Sequence, residues 1–217
     1  MIPIADESPK GYIPFVNYVL IALNIAVFFF LQQDTEVFYQ SFGLTPKKIV
    51  QTPSNVFGYF TIFTSMFMHG GLMHLLGNML YLWIFGDNIE YTIGHKRYIF
   101  FYFTVGLGAA VLQIIVFPDS AVPMIGASGA VSGVLGAYLL KYPKNKVSIL
   151  FFFFIFIRVV KIPALMVLGL WFVFQIWSGY AAMESGAGEG GVAWFAHIGG
   201  FVAGLLLINI FEKFPKR

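Results

Sequence analysis

Six apolar runs, each bounded by charge, glycine or proline, constrain this chain more than any other feature. They fall near residues 15–32, 71–86, 98–117, 128–141, 162–180 and 194–211. A helix needs roughly 20 apolar residues to cross a hydrocarbon core of about 30 Å, and runs of this kind read as transmembrane helices. The expected fold is an all-α polytopic membrane protein, with residues 1–217 forming one transmembrane domain. Composition agrees: 59% of residues are hydrophobic and 11% charged, and the mean hydropathy of +0.80 lies outside the range of soluble domains. The N-terminal stretch MIPIADESPKGYIPF carries acidic residues and no small-residue cleavage site, so the first run reads as a retained span and not a removable signal peptide.

An even number of spans puts both termini on one side. If that side is the cytoplasm, the inner segments gather Lys10, Lys96, Arg97, Lys141, Lys144, Lys146, Arg158, Lys161, Lys213, Lys216 and Arg217, and only Lys47 and Lys48 lie outside. The positive-inside rule selects that orientation, in a cell inner (plasma) membrane. Residues 33–70 mix aromatics with polar breaks and read as an outer loop with short interfacial helices between the first two spans. The apolar tract 147–160 ends in Arg158 and precedes Lys161, so it reads either as the inner part of the fifth span or as a separate interfacial segment. SGAGEGG, residues 185–191, reads as a flexible outer loop at a place suited to a gate.

The short fourth span is the informative one. About 20 Å of helix separates Ser128 from Lys141 at its inner end, about 22 Å separates His197 from Glu212, and about 20 Å separates His74 from Asp87. Asn78 lies one turn deeper than His74 on the same face. Four polar groups from three spans therefore converge on one layer, roughly 10 Å below the outer boundary of the core. Such groups are costly in lipid unless they face a cavity, and their grouping marks a functional site.

The layer holds the parts for acyl transfer. Ser128 is the candidate nucleophile and His197 the general base. His74, Asn78 and the backbone N–H of Ser128, at a helix N-terminus, are candidate oxyanion donors. With no carboxylate at this depth, a Ser-His dyad is expected and not a triad. Gly129 and Gly133 on the fourth span face Gly200 and Gly204 on the sixth as small-xxx-small pairs, which bring two backbones close enough for a short serine side chain to reach an imidazole.

These residues resemble the rhomboid intramembrane serine proteases. GASG (126–129) resembles their nucleophile motif, with Gly126 ahead of the serine. AHIGGFVAG (196–204) resembles the pattern around their histidine, and FMHGGLMHLLGNM (67–79) their segment of two histidines and an asparagine. NIEYTIGHKRY (88–98) resembles their inner turn, with Glu90, Gly94 and Arg97 in the places of its acid, glycine and arginine. The resemblance covers roughly residues 15–211. It implies a rhomboid-like arrangement of compact six-span bacterial type, with Ser128 and His197 as the catalytic pair, His74 and Asn78 as oxyanion donors and His69 as a supporting loop residue. It also implies single-pass transmembrane proteins as substrates, cut within the bilayer, and a site opening to the outer side. Some bacterial members carry an aromatic residue where this chain has Ser132. His197 is then expected to be held less firmly, or by another aromatic such as Phe201 or Trp194.

The remaining signals are structural or negative. Ser132 reads as a packing hydroxyl, Glu90 and Arg97 as an ion pair fixing two inner helix ends, and His95 as a surface residue. The Phe-rich run 151–154 reads as lipid-facing or interfacial bulk. The absence of cysteine excludes thiol chemistry. The spacing of His69 and His74 does not put them on one helical face, and no metal, other cofactor or nucleic acid is expected. A non-catalytic rhomboid-like protein that binds membrane clients is the alternative. A transporter would require mid-span carboxylates and two related halves, and the sequence has neither.

Overall fold

The computed structural model describes residues 2–153, 156–184 and 191–212. Nine α-helices are found among them: α1 Phe15–Ala26, α2 Glu36–Phe42, α3 Pro46–Gln51, α4 Val56–Thr64, α5 Leu72–Ile93, α6 His95–Val116, α7 Ser128–Lys141, α8 Ala164–Glu184 and α9 Trp194–Glu212. A π-helical turn, Val27–Leu31, extends α1. Three helices, α6, α8 and α9, are long and apolar enough to cross a membrane. The expected loop at residues 185–190 and the basic residues 213–217 lie outside the described residues.

The core is apolar, yet several helices also turn large apolar side chains outward. α1 buries Asn17, Leu20 and Asn24, which recur at helical spacing, and exposes Phe15, Val19 and Leu23. Asn17 is paired on both sides: its Nδ2 donates to the Leu82 carbonyl at 2.9 Å, and its Oδ1 accepts from the Tyr98 hydroxyl at 2.9 Å. α8 buries only Ala164, Leu168, Gln175 and Gly179 while Leu170, Val173 and Trp177 face outward. Apolar surface on this scale needs an apolar surrounding.

α7 is the central helix. Residues Ala130 to Tyr138 are all buried, against α5, α6 and α9. Its fourteen residues reach about 21 Å at ~1.5 Å per residue, short of a full crossing. α5 runs past the expected end of the second span at 86. Gly86 lets Asn17 and Tyr98 pack directly against it, and Asp87 and Asn88 are buried with partners, so the helix stops only at Gly94, whose φ is +82°.

The all-helical expectation is corrected by a three-stranded antiparallel sheet in the order β1-β2-β3, with β1 Ile2–Ala5, β2 Lys146–Phe153 and β3 Phe156–Pro163. Ile2 pairs with Leu150, and Lys146 with Pro163. The tract 147–160 is thus a hairpin and not an inner extension of α8. Its Val, Ile and Phe residues favour extended backbone, and Val147 and Ile149, two apart, point into the bundle with the period of a strand. The side chains of residues 152–156, which take in most of the Phe-rich run, lie outside the described residues.

Asp6, just beyond β1, fastens this sheet to the helices. Its Oδ2 accepts from the Tyr138 hydroxyl at 2.5 Å and from Asn88 Nδ2 at 2.7 Å. Burial pushes the Asp6 carboxyl up to about 6; the Tyr138 bond offsets part of that rise and the nearby Asp87 adds to it. Glu90 takes a different role from the expected one. Its carboxylate accepts the backbone N–H groups of Val16 at 2.9 Å and Asn17 at 2.7 Å, capping the first turn of α1, which has no cap of its own. Among the described residues the side chain that meets its carboxylate is the His95 imidazole and not Arg97. Arg97 donates instead to the carbonyls of Ile93 and Phe211, at the ends of α5 and α9, because its long side chain reaches past the turn.

Candidate active site

Ser128 opens α7, so its backbone N–H has no carbonyl within the helix to meet. The approach to it is tightly held. Leu44 and Met124 exchange both backbone hydrogen bonds, at 3.0 and 2.7 Å, and the Gly126 N–H donates to the Ser65 carbonyl at 2.9 Å. Gly126 turns the chain at φ +123°, and a Cβ built there would lie 2.7 Å from Nε2 of His74. Only glycine fits that position on both counts.

Glycines also set the distance between α7 and α9. A Cβ on Gly200 would lie 2.0 Å from the Gly129 carbonyl oxygen, and one on Gly133 2.3 Å from Val105 Cγ2 on α6. A Cβ on Gly129 would lie 2.7 Å from that of Ala109, also on α6. The two backbones are in direct contact. α9 is started by a residue from another helix: Gln113 Oε1 accepts the Ala196 N–H at 3.2 Å, one residue before His197.

This packing brings Ser128 Oγ to 2.8 Å from His197 Nε2. The other ring nitrogen, Nδ1, lies 2.8 Å from Gln175 Oε1 on α8. An amide oxygen only accepts, so Nδ1 carries the proton and Nε2 presents its lone pair to the serine hydroxyl. That is the tautomer a general base requires.

His74 and Asn78 line the same cavity as Ser128 and His197, a volume of about 620 Å³ closed on the α8 side by Trp171. The Gly70 N–H donates to His74 Nδ1 at 3.3 Å, which leaves Nε2 as the protonated nitrogen, beside Gly126 and within reach of the space over Ser128. Asn78 Nδ2 donates to the His74 carbonyl at 3.1 Å and keeps its second N–H for the cavity. His69 lies outside this group but against it: its ring is buried 5.1 Å from that of His74, while its backbone N–H and carbonyl are both bonded by the Gln32 side chain. Ser132, one turn below Ser128, donates its hydroxyl back to the Ser128 carbonyl at 2.6 Å. Its proton and orientation are committed to its own helix.

The profile of the Rhomboid domain matches residues 57–214. The chain belongs to the rhomboid family. It is 29% identical to Rhomboid protein 1, mitochondrial, of Saccharomyces cerevisiae over 195 residues, which is 87% of this chain and 51% of that one. It is 30% identical to Rhomboid protease GluP of Bacillus subtilis over 138 residues, 61% of this chain and 26% of that protein. With Rhomboid-like protein 11, chloroplastic, of Arabidopsis thaliana it shares 27% identity over 207 residues, 91% and 65% of the two chains. The match thus spans from about a quarter to under two thirds of these relatives' length.

As a rhomboid with these apolar helices, the chain is a multi-pass membrane protein. Two residues of this rhomboid's site escape sequence reasoning, and both are on α8. Trp171 lies over the imidazole, ring centroids 6.1 Å apart and planes 32° apart. Trp194 meets the same ring edge-on at 6.2 Å. Phe201, the other expected partner, instead stacks on Phe172 at 4.2 Å. Gln175 is the second. A search of the spans for carboxylates passes over a neutral amide, yet a glutamine within the apolar run LWFVFQIW is itself a signal, because an amide in lipid needs a partner.

Proposed function

We propose that this rhomboid is an intramembrane serine endopeptidase of the compact six-span bacterial type. The observation that carries the reading is the 2.8 Å contact between Ser128 Oγ and His197 Nε2 at the floor of a cavity that also presents His74 and Asn78. Ser128 Oγ attacks the carbonyl carbon of the scissile peptide while its proton passes to His197 Nε2. The oxyanion is met by His74 Nε2–H, Asn78 Nδ2–H and the Ser128 backbone N–H. Collapse of that intermediate expels the amine, which takes the proton from His197. Water then repeats the sequence on the acyl-enzyme, with His197 again accepting and returning a proton.

The substrates are single-pass transmembrane proteins, in keeping with a family that acts on membrane proteins in the bilayer. The crossings are α1 with its π-turn, α5, α6, α7, α8 and α9. Pairing of β1 with β2 supports that count, since Ile2 and Leu150 share a sheet and an even number of crossings, four, lies between them. The salt bridge of Lys141 with Glu212 joins the ends of α7 and α9 on that same side. By the positive-inside rule the basic residues favour that side as the cytoplasmic one, and the proposed setting is a plasma membrane with the cavity opening outward.

The test is cleavage of a single-span substrate in liposomes. Ser128→Ala is expected to lose activity by several orders of magnitude with the fold retained, and to lose labelling by a fluorophosphonate that Ser132→Ala keeps. Normal cleavage by Ser128→Ala would overturn the catalytic reading of Ser128, and no cleavage by the wild type would favour the client-binding alternative.

A further inference from the structure

We propose that Gln175 is the positioning residue of this site, a neutral third member that fixes the tautomer and tilt of His197. The inference rests on the reading of Ser128 and His197 as the catalytic pair. Three observations carry it. Gln175 is 3% exposed although it lies within a helix whose other polar surface is slight, so its amide is held inward at a cost that only a bond repays. Its Oε1 lies 2.8 Å from Nδ1 of His197, on the side of the ring opposite Ser128 Oγ. Trp171, one turn earlier on the same face of α8, covers the ring, so a single helix supplies both the acceptor and the aromatic wall.

The chemistry follows from the surroundings. In soluble serine hydrolases an ionised carboxylate holds the imidazole and stabilises the imidazolium that forms. An uncompensated carboxylate in this apolar layer would be far costlier than an amide. A glutamine keeps the directional half of that role, accepting the Nδ1 proton, and gives up the ionic half. Without it the imidazole is free to adopt the tautomer with the proton on Nε2, which cannot accept from Ser128. Gln175 also makes the orientation of the base depend on the place of α8, which packs inward through Ala164, Leu168 and Gly179 and through Trp171 and Phe172.

Gln175→Leu, Gln175→Glu and Ser128→Ala are compared with wild type as purified full chains in liposomes, with kcat, KM and the pH dependence of kcat/KM measured on one single-span substrate. Thermal unfolding of each is recorded. Gln175→Leu is expected to lower kcat by on the order of tenfold or more, the value of one hydrogen bond made to the working tautomer, with KM unchanged. Gln175→Glu restores an acceptor and is expected to recover much of that loss at high pH. The Glu–His pair holds its proton to higher pH than histidine alone, so the acid limb of kcat/KM should move up by at least one pH unit. A wild-type kcat in Gln175→Leu overturns the proposal, and so does an unmoved acid limb in Gln175→Glu, the mark of a packing role alone. If Ser128→Ala is inactive and the Gln175 variants behave as wild type, only the role of Gln175 fails; if Ser128→Ala is active, the catalytic reading itself fails.

Discussion

Gly204 lies so close to Gly133 that a Cβ built on it would sit 1.9 Å from the Gly133 carbonyl oxygen. No side-chain rotation relieves a clash with backbone, so α7 and α9 must separate if the site gains a methyl group. Gly204→Ala is therefore expected to destabilise the protein by about 1–3 kcal/mol. It should also lower cleavage by about 10²-fold, because a shift of an ångström at the pair is enough for that. Gly169→Ala, inside α8 at a position with nothing within 4 Å, is the control and should leave cleavage unchanged and stability no lower than wild type. Thermal unfolding and cleavage rates on the two variants check the contrast.

His74→Ala and Asn78→Ala are expected to lower kcat while the protein remains folded. One oxyanion donor is worth about 10²- to 10³-fold. Each keeps one N–H for the cavity, His74 at Nε2 and Asn78 at Nδ2, so losses of similar size are expected. Equal activity of both variants with wild type would remove them from the site.

Glu90→Ala is expected to destabilise the fold by about 3 kcal/mol, since it strips a buried carboxylate from two backbone N–H groups and from His95. Activity per folded molecule should hold, because Glu90 is remote from the cavity. Arg97→Ala should not reproduce the defect at α1, which separates this cap from the ion pair that the sequence suggests. Hydrogen exchange at the start of α1 distinguishes the two variants.

The docking of β1 is expected to weaken as pH rises. The Asp6 carboxyl is pushed from its ordinary 3.8 up to about 6 when docked, against Tyr138, Asn88, Ser8 and Asp87. A raised value means that the docked state holds the proton more tightly. Its contribution is complete below pH ~4, falls between pH ~4 and ~6 as the undocked carboxyl ionises first, and is level above that. Hydrogen exchange of residues 2–5 across this range should show increasing opening, corrected for intrinsic rates. Asp6→Asn should flatten the dependence.

Much of the site is legible in the sequence because helix rise converts position into depth. Measured from Lys141 and from Glu212, Ser128 and His197 come out level, and in the structure those two reference residues form a salt bridge while the other ends meet at 2.8 Å. Ser132 is likewise readable as packing. Gln175 is only half readable: an amide in an apolar run signals a partner, but nothing in the pattern says that the partner is His197 on another helix. The sheet is hidden for a different reason. Residues 146–163 are apolar enough to pass for membrane helix, and β1 is too short to announce itself until its partner, far along the chain, is known. Glu90 misleads because its backbone partners, Val16 and Asn17, leave no trace in a pattern of side chains.

The pairing of Ile2 with Leu150 also imposes an order in time. β1 leaves the ribosome long before β2 exists, and at about 5–20 residues per second the wait is on the order of ten seconds. During that interval α1 to α7 are made while the strand edge waits unpaired. Pro3 withholds one backbone donor from that edge, and four residues give a stray strand little to hold. The sheet therefore closes late, as a clasp on helices already made.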